Sequence, residues 1–164
     1  SGPTSHLTAA MFMQLTGTEM VHVPYKGTAP ALVDLVGGQV DVFFDNIASS
    51  ATFHNAGKTQ ILAVADQKRS PLLPQVPTFV ESKVPGMVAV TFFSMVAPSG
   101  TSKEMIAVTH KAFSGALALA DVKQKFAEQG ATPGGWSPEQ TAQFIRDESA
   151  KWGKVIKTAN VTVE

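Results

Sequence analysis

Cysteine is absent from the 164 residues. Disulfide scaffolds and thiolate chemistry are thereby excluded, while the compartment is left open. No apolar run approaches the roughly 20 residues that cross a bilayer as a helix. Charge is scarce and balanced: 16% of residues are charged, thirteen basic against thirteen acidic, for a formal sum of zero. That removes the concentrated basic patch on which a nucleic-acid surface depends. The four histidines, His6, His22, His54 and His110, fall at no metal-ligand spacing, so no metal and no cofactor is implied. Catalytic signatures are missing as well. There is no G-x-S-x-G elbow, no P-loop and no G-x-G-x-x-G. Ser5 beside His6 is not a triad, because catalysis needs convergence in space with an orienting acid. No acid–base pair is legible, and the chain reads as a non-enzyme.

What is present is a globular pattern. Hydrophobic residues make up 44%, enough for a sizeable core and too many for disorder. The length allows one domain, or one domain plus part of another. The richest stretch runs from His22 to Asn46. His22–Tyr25 is a short β-prone run interrupted by Pro24, and Tyr25-Lys26-Gly27 is a turn. Thr28 is placed to cap a helix reaching Leu35 and Val36, with Pro30 in its first turn. Gly37-Gly38 stops it. Val40–Phe44 is a buried-strand run with Asp45-Asn46 at its carboxyl end. This is a βαβ unit with polar groups where open α/β sheets hold ligands.

Elements alternate elsewhere too. Leu7, Met11 and Leu15 recur at one-turn spacing ahead of Gly17. Asn46 is placed to cap a short helix ending near Ala56-Gly57, and Ile61–Ala65 reads as a third strand. Thr78–Lys83 reads as a helical turn after a proline-rich connection. Met87–Ala97 is apolar, β-rich and long enough to cross between two lobes. Beyond Pro98 the pattern turns helical. Thr101 with Glu104 suggests a capping box, Asp121 starts a second helix that Gly130 closes, and Ser137-Pro138 with Gln140 starts the last. Ile145, Trp152 and Ile156 share a face of that last helix.

The motifs SGPTSHL (1–7), VPYKG (23–27), PAL (30–32), GGQVD (37–41), FDN (44–46), AGK (56–58), KRSP (68–71), VPT (76–78), APSGT (97–101) and WGKVIK (152–157) occur together over nearly the whole chain. In that order and spacing they resemble the Bug-type extracytoplasmic solute receptors of tripartite tricarboxylate transporters. Such receptors are about twice this length, and the chain resembles one that begins near the middle. The absence of a signal peptide therefore carries no weight about export.

The resemblance implies an α/β fold of the periplasmic binding protein type II kind, with βαβ units and C-terminal helices that belong to or pack on the other lobe. It maps 1–96 onto the second α/β lobe and 97–164 onto the crossing segment and terminal helices, with the N-terminal lobe portion absent. It implies periplasmic capture of a small carboxylate and delivery to membrane transporter subunits, with no nucleic acid and no insertion into the membrane. A ligand-sensing or scaffold role for the same fold is the alternative.

Three clusters carry the expected ligand contacts. Gly2, Thr4, Ser5 and His6 sit at a helix N-terminus, where free N–H groups and hydroxyls favour an anion. Tyr25 offers a ring and hydroxyl, and Gly27 lets backbone approach a ligand. Asp45 and Asn46 end a strand at the cleft edge. For Thr4, Ser5 and Asn46 the plain alternative is helix capping. Without its first lobe the segment exposes apolar surface after residue 86 and is expected to self-associate.

Overall fold

The computed structural model describes residues 3–159 and 161. Its helices, in chain order, are α1 (Pro3–Thr16), α2 (Thr28–Val36), α3 (Ile47–Asn55), α4 (Lys103–Ala118), α5 (Ala120–Glu128) and α6 (Pro138–Ala159). The chain divides into two compact units. The first is Ser1–Thr91 with Trp152–Glu164, and the second is Phe92–Lys151.

In the first unit, α1 turns Thr8, Ala10 and Met11 inward, whereas Leu15 of the expected stripe is 45% exposed. Met11 and Ala10 join Met87 and Val155 in one buried cluster, flanked by Phe12, Phe44, Phe79, Val84 and Trp152. The Phe12 ring lies 5.6 Å from both Phe44 and Phe79. Gln14 Nε2 donates to the Val155 carbonyl at 3.1 Å and ties α1 to α6. On α6 the buried residue is Val155, and its neighbour Ile156 faces out. Of the expected face, Trp152 packs against this cluster, while Val155 rather than Ile156 is the residue that is buried. A second cluster joins Val64, Leu73 and Val76, with Ile47 and Ile61 against it. Leu73 and Met87 are completely buried. Burying such a side chain stabilises by about 1.5–3 kcal/mol.

The expected strands lack a ladder of their own here. Among the described residues no strand ladder forms over 22–25, 40–44 or 61–65. A single parallel bridge pairs Val64 with Thr78. There the Val64 N–H donates to the Pro77 carbonyl at 2.9 Å, and the Phe79 N–H to the Val64 carbonyl at 3.0 Å. On the other side the Ala89 N–H donates to the Ala65 carbonyl at 2.9 Å. The physical reason lies in what makes a strand. Apolar, β-branched composition marks a segment that suits a pleated surface. The ladder itself needs a neighbour about 4.8 Å away, and a parallel neighbour is never local.

The turn after the bridge is closed by a reciprocal pair. The Thr78 N–H donates to Glu81 Oε2 at 2.7 Å, and the Glu81 N–H to Thr78 Oγ1 at 3.1 Å. Arg69 Nε reaches both Glu81 oxygens at 3.0 Å, and its Nη1 donates to the Pro74 carbonyl at 3.0 Å. One guanidinium thus pins the proline-rich connection to the turn. Arg69 first, and then the Thr78 N–H, hold the Glu81 carboxyl below its ordinary range.

The second unit is built differently. α4 and α5 meet at a break of 73°. Ser102, not Thr101, caps α4 by accepting from the Met105 N–H, while the Thr101 hydroxyl donates to the Pro98 carbonyl. α6 opens on the expected capping box: the Gln140 N–H donates to Ser137 Oγ at 3.2 Å, and the Ser137 N–H to Gln140 Oε1 at 2.9 Å. Phe144 packs edge-on against Phe92 at 4.9 Å and against Trp136 at 5.0 Å. Phe93 is 95% exposed. No residue from 92 to 151 is buried.

Candidate ligand-binding site

Gly2 lies outside the described residues. α1 starts at Pro3, so Thr4 and Ser5 are its second and third residues rather than its cap. Pro3 suits that first position because its missing N–H has no helical partner to lose. The Thr4 carbonyl accepts from Thr8 Oγ1 at 2.7 Å. One residue further, the His6 ring stacks on His22 with centroids 3.9 Å apart and planes within 5°. That stack brings the start of α1 against the 22–27 segment. Two histidines judged scattered in the sequence are neighbours in space.

Tyr25 is fixed by a contact that its own motif does not contain. Its hydroxyl donates to Asp34 Oδ2 at 2.7 Å. The hydrogen bond to Asp34 pushes the phenol above its ordinary range. The hydroxyl hydrogen is therefore engaged with Asp34. Gly27 is the N-cap of α2 with φ 110 and ψ 175, a conformation that strains any residue bearing a Cβ. A Cβ placed there would meet no atom within 4 Å. The backbone at Gly27 thus faces open space and can be approached closely. Thr28, expected to cap, is the first helical residue instead.

Asp45 and Asn46 precede α3. Asp45 Oδ2 accepts from the Ser49 hydroxyl at 2.6 Å and the Ser50 hydroxyl at 2.7 Å. Asn46 occupies the N-cap position, and its carbonyl takes the Ser49 and Ser50 N–H groups at 3.2 Å. Its side chain does not cap. Instead Asn46 Oδ1 accepts from Thr91 Oγ1 at 3.1 Å.

The structure therefore links His6 to the 22–27 segment and gives Tyr25, Asp45 and Asn46 one named holder each or more. Asp34, Ser49, Ser50, His22 and Thr91 were not singled out by sequence reasoning. Ser49 and Ser50 had a signal, since side chains one helical turn beyond a carboxylate commonly return to it. Asp34 lies nine residues from Tyr25 and Thr91 forty-five from Asn46, and no local pattern marks either. A shallow depression lined by His54, Gly57, Lys58, Thr59 and Gln60 shares no residue with the predicted set. Among the described residues no three His, Asp or Glu side chains gather as a metal would require.

The start of α1, the Gly27 backbone and the Asn46 amide are thus set out, and comparison with known proteins places the chain in a family. Residues 1–161 match the description "Tripartite tricarboxylate transporter family receptor", and the chain belongs to that family. It is 36% identical over 156 residues to Protein BugT of Bordetella pertussis, covering 95% of this chain and 48% of BugT. Among solved structures it is similar to an R. palustris protein determined with adipate, at 38% identity and TM-score 0.83, covering 98% of this chain and 54% of that one. It is also similar to the periplasmic binding protein BugD, at 31% identity and TM-score 0.78, covering 98% and 54% respectively. The fold class is thus that of periplasmic binding proteins. The chain spans about half the length of BugT and of either solved structure.

Proposed function

We propose that this segment forms one wall of a periplasmic receptor that captures a small dicarboxylate and hands it to the membrane subunits of a tripartite transporter. The observation that carries the reading is the likeness to an adipate-bound protein at TM-score 0.83 and 38% identity. The site residues support it. The first turn of α1, with Thr4 and Ser5, supplies N–H and hydroxyl donors for a carboxylate. The Gly27 backbone and the Asn46 amide supply further donors, and Tyr25 supplies a flat apolar wall. Asp45 holds the start of α3 rather than touching ligand. No bond is made or broken, and selectivity comes from hydrogen bonds formed as two lobes close.

In a receptor of full family length, residues up to about 96 build the second lobe, and later residues form the crossing segment and terminal helices. The 22–25, 40–44 and 61–65 segments pair there as parallel strands, extending the Val64–Thr78 bridge. By itself the segment binds weakly, because half the cleft is water that competes with every contact.

The test is calorimetry with adipate and shorter dicarboxylates on a receptor of full family length that carries residues 1–164. Replacing Thr4 and Ser5 together by Ala weakens binding by about 1–3 kcal/mol if both donate to a charged group. Unchanged affinity in a folded double variant rules out the α1 terminus as the carboxylate site.

A further inference from the structure

We propose that Thr91 is a positioning residue: it fixes the Asn46 amide with its N–H2 group outward, so that this end of the site takes carboxylate oxygen and rejects ammonium. The inference rests on the reading that Asn46 faces the ligand.

A primary amide carries an acceptor on one side and two donors on the other. An unrestrained Asn presents either side to a ligand. Asn46 is restrained. Its Oδ1 accepts from Thr91 Oγ1 at 3.1 Å, which turns Nδ2 away from Thr91. The usual restraint at this position, a bond from the N-cap side chain to its own helix, is absent. The Thr91 hydroxyl therefore selects which face of the amide is offered. The adjacent carboxylate, which would attract an ammonium, is turned to another task. Asp45 Oδ2 accepts two hydroxyl hydrogens, from Ser49 at 2.6 Å and Ser50 at 2.7 Å. An oxygen holding two such bonds is a poor partner for a cation that must also shed its water. The amide donors point the site towards ligands that accept hydrogen bonds, and Asp45 Oδ2 is occupied within its own segment.

Thr91 is also the last residue of the first unit before Phe92 opens the second. The amide is thus tied to the segment on which the chain leaves the unit, not to its own helix.

Succinate and aspartate are the probes, since they differ by one ammonium group. On the full-length receptor, Asn46→Ala is expected to weaken succinate about tenfold, the size of one hydrogen bond to a charged group. Thr91→Val keeps the shape and removes the donor. It is expected to weaken succinate about threefold to tenfold and to narrow the succinate-to-aspartate ratio, because the freed amide can turn its oxygen to an ammonium. Thr91→Ser restores both values. Thr91→Ala serves as a second donor-less variant, and an unchanged unfolding midpoint shows that the fold is intact. Combined with Asn46→Ala, Thr91→Val adds nothing further, as coupled residues require. If Asn46→Ala weakens succinate while Thr91→Val and Thr91→Ala leave both ligands unchanged, the positioning role is overturned and the site reading stands. If Asn46→Ala itself has no effect, the placement of Asn46 in the site falls, and the role of Thr91 with it.

Discussion

The two units bury their apolar residues to different degrees. Ser1–Thr91 with Trp152–Glu164 holds every buried hydrophobic residue among those described, including Leu73 and Met87 at 0% exposure. Phe92–Lys151 holds none, although it carries Phe93, Met95, Val96, Met105, Val108, Phe113 and Leu119, all at least half exposed. Both units have well-formed helices, so helix formation does not separate them. The lesson is that an amphipathic helix is only half of a stable arrangement. Its apolar face must meet another surface, and most helical stability comes from that meeting. The first unit supplies its own through α1, the 73–87 segment and the end of α6. The second leaves its large apolar residues exposed.

The sharpest way to break this comparison is to truncate matched side chains. Leu73→Ala or Met87→Ala is expected to cost about 2–5 kcal/mol in urea unfolding, through lost burial and a residual cavity. Met105→Ala or Val108→Ala in the second unit should stay within about 0.5 kcal/mol. Equal costs on the two sides would show that the second unit has a core of its own.

A somewhat smaller effect is expected in self-association. The segment on its own should show concentration-dependent sedimentation, driven by the exposed apolar residues from Phe92 onward. Phe93→Asp with Val96→Asp should weaken it by about tenfold or more, since a charge must be desolvated to enter such a contact. A monomer at high concentration would mean that the second unit tolerates its exposed face.

The smallest effects are titrations within the first unit. Glu81 is held below the ordinary carboxylate range, chiefly by Arg69. The unfolded chain then binds the proton more readily, so this contribution is complete above the ordinary glutamate range and drains away as pH falls through the folded value. Glu81→Gln should flatten that part of the acid limb, by a modest amount because the pair is about half exposed. Tyr25 has the opposite sign. Asp34 raises its pKa, so its contribution is complete below the ordinary tyrosine range and is lost as pH rises through the folded value. Tyr25→Phe should remove that alkaline step, as read by far-UV circular dichroism against pH. An unchanged step would mean that another group titrates there.

Much of the helical frame was legible in the residues. Gly17, Gly37 and the Ser137–Gln140 box mark ends where backbone groups run out of helical partners, and the structure ends its helices there, whereas α1 begins at Pro3, ahead of the expected Thr4-Ser5 cap. Caps shifted by one position at Gly27, where no side chain caps, and at Ser102, which takes the Met105 N–H while the Thr101 hydroxyl donates to the Pro98 carbonyl. Of the site, the identity of Gly27, Asp45 and Asn46 as positions at element ends was legible from turn and cap chemistry. Their partners were not.

By itself the sequence determined which stretches are helical, the balanced formal charge and the family, because each is written in local residue order and motif spacing. Only the tertiary structure decided that His6 meets His22, that Asp34 engages Tyr25 and that Thr91 orients Asn46. It also decided that Val155 is the buried residue of α6, and that Val64 bridges to Thr78 rather than to another of the strand-like segments. Those outcomes depend on which distant surfaces come within a hydrogen bond or a van der Waals contact. Sequence spacing carries no measure of that distance.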